Sequence, residues 1–160
     1  YVDVDFEGLI WTLEEKFGGE WLIFLRIHPN VAIESSKYKL SSKVIDASYY
    51  CDSQELVAAS DIVMTDYSSM MFEPAFVKKP VFLYAPDKEE YIGKDRGLLI
   101  DYDSLPFPIS KNDKELTEAI MEFEEEAYYK KVKSFLEFYD VHEDGHASER
   151  AAKFILSLLE

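Results

Sequence analysis

Only one cysteine, Cys51, stands among 160 residues. That excludes an internal disulfide framework and suits a reducing compartment. Cys51 is expected to act as a small hydrophobe rather than a nucleophile. Basic residues are also scarce: 17 Lys and Arg against 32 Asp and Glu leave a formal net charge of −15. Such a chain is poorly suited to nucleic acid or to electrostatic docking on anionic lipid. No apolar run nears the roughly 18 residues of a bilayer span, and the first residues do not read as a signal peptide. Cys and His do not cluster, so no metal is expected. Neither Gly-x-Gly-x-x-Gly nor Gly-x-x-x-x-Gly-Lys-Ser/Thr occurs, which removes the dinucleotide and P-loop fingerprints. Internal repeats, low-complexity tracts and linkers are absent.

What is present is enough for one domain with a real core. Hydrophobic residues make up 48% and aromatics 15%, which excludes disorder. The chain opens on Tyr1-Val-Asp-Val-Asp rather than Met, as a piece of a longer protein would. Phe6, Leu9, Ile10, Leu13 and Phe17 have helical spacing, and Gly18-Gly19 end that helix. Trp21–Leu25 is an apolar strand leading to Arg26-Ile-His28-Pro29-Asn30, where Pro29 stops it. Ala32 to Ser42 is polar, Lys43–Asp46 is a short strand, and Asp52 with Glu55 resembles a capping box before Leu56 and Val57. Asp61–Asp66 is a strand, and a helix from Ser68 to about Val77 ends at Lys78-Lys79-Pro80. Val81–Tyr84 is the next strand, and Gly97–Asp101 the expected last one. Leu105-Pro-Phe-Pro-Ile109 reads as a stiffened loop. Three helices follow: one capped by Asn112 or Asp113, one with Val132, Phe135, Leu136 and Tyr139, and a closing one from Ala147 to Leu159. Five strands alternating with helices predict an α/β fold: a Rossmann-like, mostly parallel sheet with helices on both faces.

The organising stretch is Asp61-Ile-Val-Met-Thr-Asp66-Tyr67-Ser68-Ser69-Met-Met-Phe-Glu73. A buried strand feeding a Ser-capped helix aims unpaired N–H groups and the positive end of the helix dipole at one point. Such a point binds anions, and in open α/β sheets ligands gather at the carboxyl ends of strands. Glu73, four residues beyond Ser69, falls about 6 Å further along a helical face, within reach of ribose hydroxyls. Arg26, His28, Lys78, Lys79, Lys94 and Arg96 are the cations available to an anionic ligand. Taken alone, the serines fit ordinary helix caps, and a histidine at a strand end fits a structural role.

Several spaced motifs coincide with one family. In order they are Arg26-Ile-His28-Pro29-Asn30, Val44-Ile-Asp46-Ala-Ser48-Tyr-Tyr50-Cys-Asp52, Glu55 to Ser69, Lys78-Lys79-Pro80-Val81, Arg96-Gly97 with Asp101-Tyr102, and Asp144-Gly145-His-Ala147-Ser148-Glu149-Arg150. Together they resemble the carboxyl-terminal domain of CDP-glycerol glycerophosphotransferases, the teichoic-acid primases and polymerases of Gram-positive bacteria. The resemblance implies one half of a GT-B-type fold, in which this domain holds the nucleotide donor. A preceding amino-terminal domain would supply the acceptor side. His28 matches the histidine near the donor pyrophosphate, with Arg26 beside it. Ser68 and Ser69 match the serine pair that cradles the phosphates, and Glu73 matches a ribose-binding acid that is often Asp. Asp46 and Ser48 lie where the base would approach. The implied reaction is attack of an acceptor hydroxyl, on a polymer or lipid-linked acceptor, at the glycerol-bearing phosphorus of CDP-glycerol, with CMP leaving and no cofactor. The implied location is cytoplasmic, peripheral on the membrane through parts outside this stretch. Two other readings share the sequence features: a GT-B glycosyltransferase donor domain using a nucleotide sugar, and a non-catalytic nucleotide-binding module.

Overall fold

The computed structural model describes residues 4–27, 41–94 and 100–159. Helices and short strands alternate: α1 (Phe6–Phe17), β1 (Ile23–Leu25), β2 (Val44–Asp46), α2 (Ser53–Ala59) and β3 (Val63–Thr65). A 3-10 turn (Ser69–Met71) runs into α3 (Phe72–Phe76), then come β4 (Val81–Tyr84), α4 (Lys88–Lys94) and a second 3-10 turn (Tyr102–Ser104). The chain closes with β5 (Ile109–Ser110), α5 (Asp113–Met121), α6 (Glu125–Phe138) and α7 (Ala147–Ser157).

Every described strand pairing is parallel. One ladder joins β1 to β2, and another runs in the order β3-β4-β5. Val81, Phe82 and Leu83 are all 0% exposed. Successive strand side chains point to opposite faces, so both faces of β4 are covered, as a parallel sheet with helices on both sides requires. Phe82 packs on Phe123, between α5 and α6, with ring centroids 5.4 Å apart. Leu9 and Leu13 of α1, Leu116 and Ile120 of α5, and Tyr128 and Val132 of α6 belong to the same core. The α/β Rossmann-like class read from the sequence is the one observed.

The last strand differs from expectation. Residues 97–99 lie outside the described residues, and Ile100 and Asp101 are not in a strand. The ladder is completed instead by Ile109–Ser110, within the segment expected to be loop. The Leu83 N–H donates to the Pro108 carbonyl and the Ala85 N–H to the Ser110 carbonyl, both at 2.8 Å. Pro108 lacks an N–H but serves here only as an acceptor, which is how proline is tolerated at the margin of a sheet.

Helix ends follow the local chemistry. The Asp5 carboxylate accepts the Gly8 N–H at 3.0 Å, and Gly18 ends α1 at φ 72°. Asn112 caps α5 by accepting the Glu115 N–H at 2.9 Å. The box expected at Asp52 is half formed: Asp52 accepts the N–H groups of Gln54 and Glu55, but Glu55 accepts the Tyr50 hydroxyl at 2.8 Å. Beyond α3, Lys78 adopts φ 60°, while the Lys79 N–H reaches the Pro74 carbonyl at 2.8 Å. This is a Schellman ending with lysine where glycine is usual. Helix α7 forms as expected, yet none of its residues is buried, so its apolar stripe does not feed this core.

Tyr128 ties α6 to the sheet. Its hydroxyl accepts the Val81 N–H and donates to the Lys79 carbonyl, each at 3.0 Å, from a side chain 4% exposed. Replacing it with Phe leaves a buried N–H and a carbonyl unpaired. Tyr128→Phe is therefore expected to cost about 1–3 kcal/mol in urea unfolding, whereas an unchanged midpoint would show that water replaces the hydroxyl.

Candidate functional site

Strand β3 ends at Thr65, and the chain turns through Asp66 and Tyr67 to Ser68. Ser68 is extended, at φ −70° and ψ 134°, and its Oγ accepts the Met70 N–H at 3.2 Å. Ser68, Ser69 and Glu73 are all exposed. The cap was expected, but the helix behind it is not one continuous α-helix. Pro74 explains this: its ring would clash with the carbonyl four residues earlier, so the α-helical stretch begins only at Phe72 and places Pro74 in its first turn. Ser69–Met71 tightens into a 3-10 turn instead. In 3-10 geometry residues i and i+3 eclipse, so Ser69 lines up with Phe72 rather than with Glu73. Glu73 stays near the serines in sequence but loses the helical-face argument that placed it directly above them. Pro74 was the signal in the sequence for this change.

Beneath the turn lies an aromatic support that motif reasoning missed. The Tyr102 hydroxyl donates to the Asp66 carbonyl at 3.0 Å, from a side chain 2% exposed. Tyr67 donates its hydroxyl to Asp87 Oδ1 at 2.7 Å. Its ring stacks on Tyr91 of α4 at 3.8 Å with planes 7° apart, and lies 5.3 Å from the Tyr102 ring. Lys88 Nζ sits 5.9 Å from the centre of the Tyr102 ring and pairs with Asp103. Burial, followed by the hydrogen bond to Asp87, pushes the Tyr67 phenol above its ordinary value. Burial likewise raises the Tyr102 phenol, with Asp66 adding to it.

The expected cations do not all reach this edge. Lys78 and Lys79 precede β4, so in a parallel ladder they sit at the end of the sheet opposite Ser68. Lys79 Nζ is spent there on the α2 carbonyls, donating to Ala58 at 2.7 Å and to Ser60. At the carboxyl edge, Lys111 Nζ pairs with Glu89 at 2.6 Å. His28 and Arg96 lie outside the described residues, as does the side chain of Lys94. Arg26 follows β1, and its Nη1 donates to the carbonyls of Tyr50 at 2.5 Å and Ala47 at 3.4 Å. Those bonds engage one nitrogen of a fork that carries five donors.

Asp46 and Ser48 stand at the carboxyl end of β2. Asp46 Oδ1 accepts the Ser48 N–H at 2.9 Å, and the buried Ser48 Oγ accepts the Ile27 N–H at 3.1 Å. Ser48 thus holds the segment that follows β1. An open cleft of about 460 Å³ lies alongside, lined by residues including Phe24, Ile45, Asp46, Tyr49 and Leu56. Cys51, expected to be a small hydrophobe, is exposed in the turn before α2. Among the described residues, no group of three or more His, Cys, Asp or Glu is placed to hold a metal, and no helix is long and apolar enough to cross a membrane.

Two parallel ladders with candidate site residues at the carboxyl ends of their strands define a Rossmann-like α/β domain, of the type that forms one half of a GT-B-type fold. The sequence model of the family described as CDP-glycerol:poly(glycerophosphate) glycerophosphotransferase matches residues 2–157, and the chain belongs to that family. It is 36% identical over 141 residues to the teichoic acid ribitol-phosphate primase of Bacillus spizizenii, covering 88% of this chain and 36% of that protein. It is 34% identical to the teichoic acid poly(glycerol phosphate) polymerase of Bacillus subtilis, covering 96% of this chain and 21% of that one. A structure of a variant of the wall teichoic acid polymerase TagF soaked with CDPG superposes with a TM-score of 0.71 at 30% identity, covering 96% of this chain and 38% of that one. The chain thus spans well under half the length of these relatives.

The raised phenols give a pH prediction. In the unfolded chain these tyrosines ionise near their ordinary value of 10.0, while in the fold Tyr67 and Tyr102 resist ionisation. Their contribution to stability is therefore complete below about pH 10 and falls as pH rises beyond it. Urea midpoints measured from pH 8 to 11.5 should decline, and less steeply in Tyr67→Phe/Tyr102→Phe. An equally steep decline in that variant would contradict the assignment.

Proposed function

We propose that this chain is the carboxyl-terminal, donor-binding domain of a glycerophosphotransferase that takes CDP-glycerol and passes glycerol phosphate to a hydroxyl of a teichoic-acid-type polymer or lipid-linked acceptor. The observation that carries this reading is the exposed Ser68–Ser69 turn at the carboxyl end of β3, in a chain whose family match extends over residues 2–157. In the reaction, the acceptor oxygen forms a bond to the glycerol-bearing phosphorus and the bond to the CMP oxygen breaks. CMP leaves with that electron pair, and the acceptor's proton passes to a base or to water. Transfer of this kind needs positioning and charge stabilisation more than covalent help.

Each candidate then has a task. The Ser68 and Ser69 hydroxyls and nearby backbone N–H groups hold the diphosphate, which draws little from local cations because Lys88 and Lys111 at this edge are paired with carboxylates. Arg26 and His28 supply the positive complement, with His28 the catalytic candidate that neutralises the leaving phosphate. Glu73 takes the ribose hydroxyls, and Asp46 and Ser48 lie towards the base. The general base and the acceptor site fall to an amino-terminal domain of the same protein, in keeping with the small share of its relatives' length that the chain spans. The cytidine donor and the lone free cysteine go with action in the cytoplasm, with peripheral membrane attachment carried by other parts of the protein.

Calorimetric titration of the chain with CDP, CDP-glycerol, UDP and a UDP-sugar tests this. Cytidine ligands should bind, and Ser68→Ala/Ser69→Ala should weaken them, at about 1.5–3 kcal/mol for each charge-assisted hydrogen bond lost. A preference for uridine ligands would point to a nucleotide-sugar transferase, and undiminished binding by the double variant would contradict the serine grip.

A further inference from the structure

A binding turn is useful only if it is held in its binding shape. The segment Asp66–Ser69 leaves the sheet at β3 and enters a 3-10 turn followed by a helix of five residues, Phe72–Phe76. So short a helical stretch gives little rigidity of its own. The turn is instead tied down by groups that arrive much later in the chain, after β4. Tyr102 donates to the Asp66 carbonyl at 3.0 Å, two residues before Ser68. The side chain immediately before Ser68 is fixed twice, by the Tyr67–Asp87 hydrogen bond at 2.7 Å and by the 3.8 Å stack on Tyr91. Tyr102 is in turn boxed by the Tyr67 ring and by Lys88. Neither hydroxyl has a hydrogen left to offer a phosphate oxygen, since each already donates within the protein.

We propose that Tyr67 and Tyr102 are positioning residues for the Ser68–Ser69 turn, holding it in the shape that receives the donor diphosphate without touching the ligand themselves. The proposal rests on the serine grip described above. It makes the loop and helix after β4 part of the donor site, although they supply no ligand contact in this account.

The test is a double-mutant cycle read as CDP affinity by protein-observed NMR titration, which resolves millimolar binding. Tyr102→Phe keeps the ring and removes only the hydroxyl. It should weaken CDP binding about tenfold when the serines are present and clearly less in the Ser68→Ala/Ser69→Ala background, where only the backbone N–H groups remain to be aimed, because coupled groups are not additive. The same loss in both backgrounds would mean a merely structural role and overturn the proposal, as would no loss in either. If the serine variant binds CDP as well as the parent chain does, the grip itself fails and the positioning role falls with it. If the serine variant is weak while Tyr102→Phe and Tyr67→Phe both bind normally, only the positioning role fails. Should Tyr102→Phe not fold, Tyr67→Phe carries the cycle alone, since the Asp87 bond it breaks lies at the exposed side of the cluster.

Discussion

Parallel pairing of β3 and β4 is the constraint on which the rest depends. The register Val63↔Val81 to Thr65↔Leu83 sends both strands the same way, so everything that follows their carboxyl ends is gathered at one edge. Because β4 is enclosed on both faces, that register cannot slip by one residue without turning Phe82 away from Phe123. The pairing thus fixes where Asp66–Ser69 emerges, and brings Asp87, Lys88 and Tyr91 up beside it. The same logic sends Lys78 and Lys79 to the far end, where Lys79 closes α2 rather than meeting a ligand.

The electrostatics of the gathered edge are unusual for an anion site. Asp66, Asp87, Asp101 and Asp103 all lie in its loops, and Lys88 and Lys111 are paired with carboxylates. A diphosphate bound there, as proposed, would depend on directional donors, hydroxyls and backbone N–H groups, more than on bulk positive charge. Such donors are worth most when they are already aimed, because no reorganisation is needed at binding. On the proposed reading, weight would fall on whatever aims them, and the tyrosines bonded and stacked at this turn are the groups placed to do so. Arg26, bound by one nitrogen to the Tyr50 and Ala47 carbonyls, braces the loop after β2.

Most of the architecture was legible in the sequence because it was written in local patterns. The 3.6-residue periodicity of Phe6–Phe17, the caps at Asp52 and Asn112, and the apolar runs at β1, β3 and β4 each required only neighbouring residues. Most differences fall where distant partners decide. Ile109–Ser110 is a strand only because β4 offers it a parallel edge, while Gly97–Asp101 looked better by composition. Pro74 is a local signal for the 3-10 turn, and it undoes the placement of Ser69 and Glu73 on one helix face. In the candidate site, Ser68 and Ser69 stand out in the sequence from their position after a buried strand. Tyr67, Tyr91 and Tyr102 carry no local signal of joining one cluster, since a span of 36 residues separates Tyr102 from Asp66. Arg26 stands out in the sequence as a cation for an anionic ligand, and nothing there shows that it reaches the Tyr50 carbonyl.

The central claim is that the Ser68–Ser69 turn receives the donor diphosphate, and a crystal structure of this chain with bound CDP-glycerol tests it most directly. The account predicts diphosphate oxygens within hydrogen-bonding distance of the Ser68 and Ser69 hydroxyls and of the backbone N–H groups beside them. A diphosphate lodged elsewhere, for instance in the cleft beside Phe24 and Tyr49, with the serines left in solvent, would contradict it.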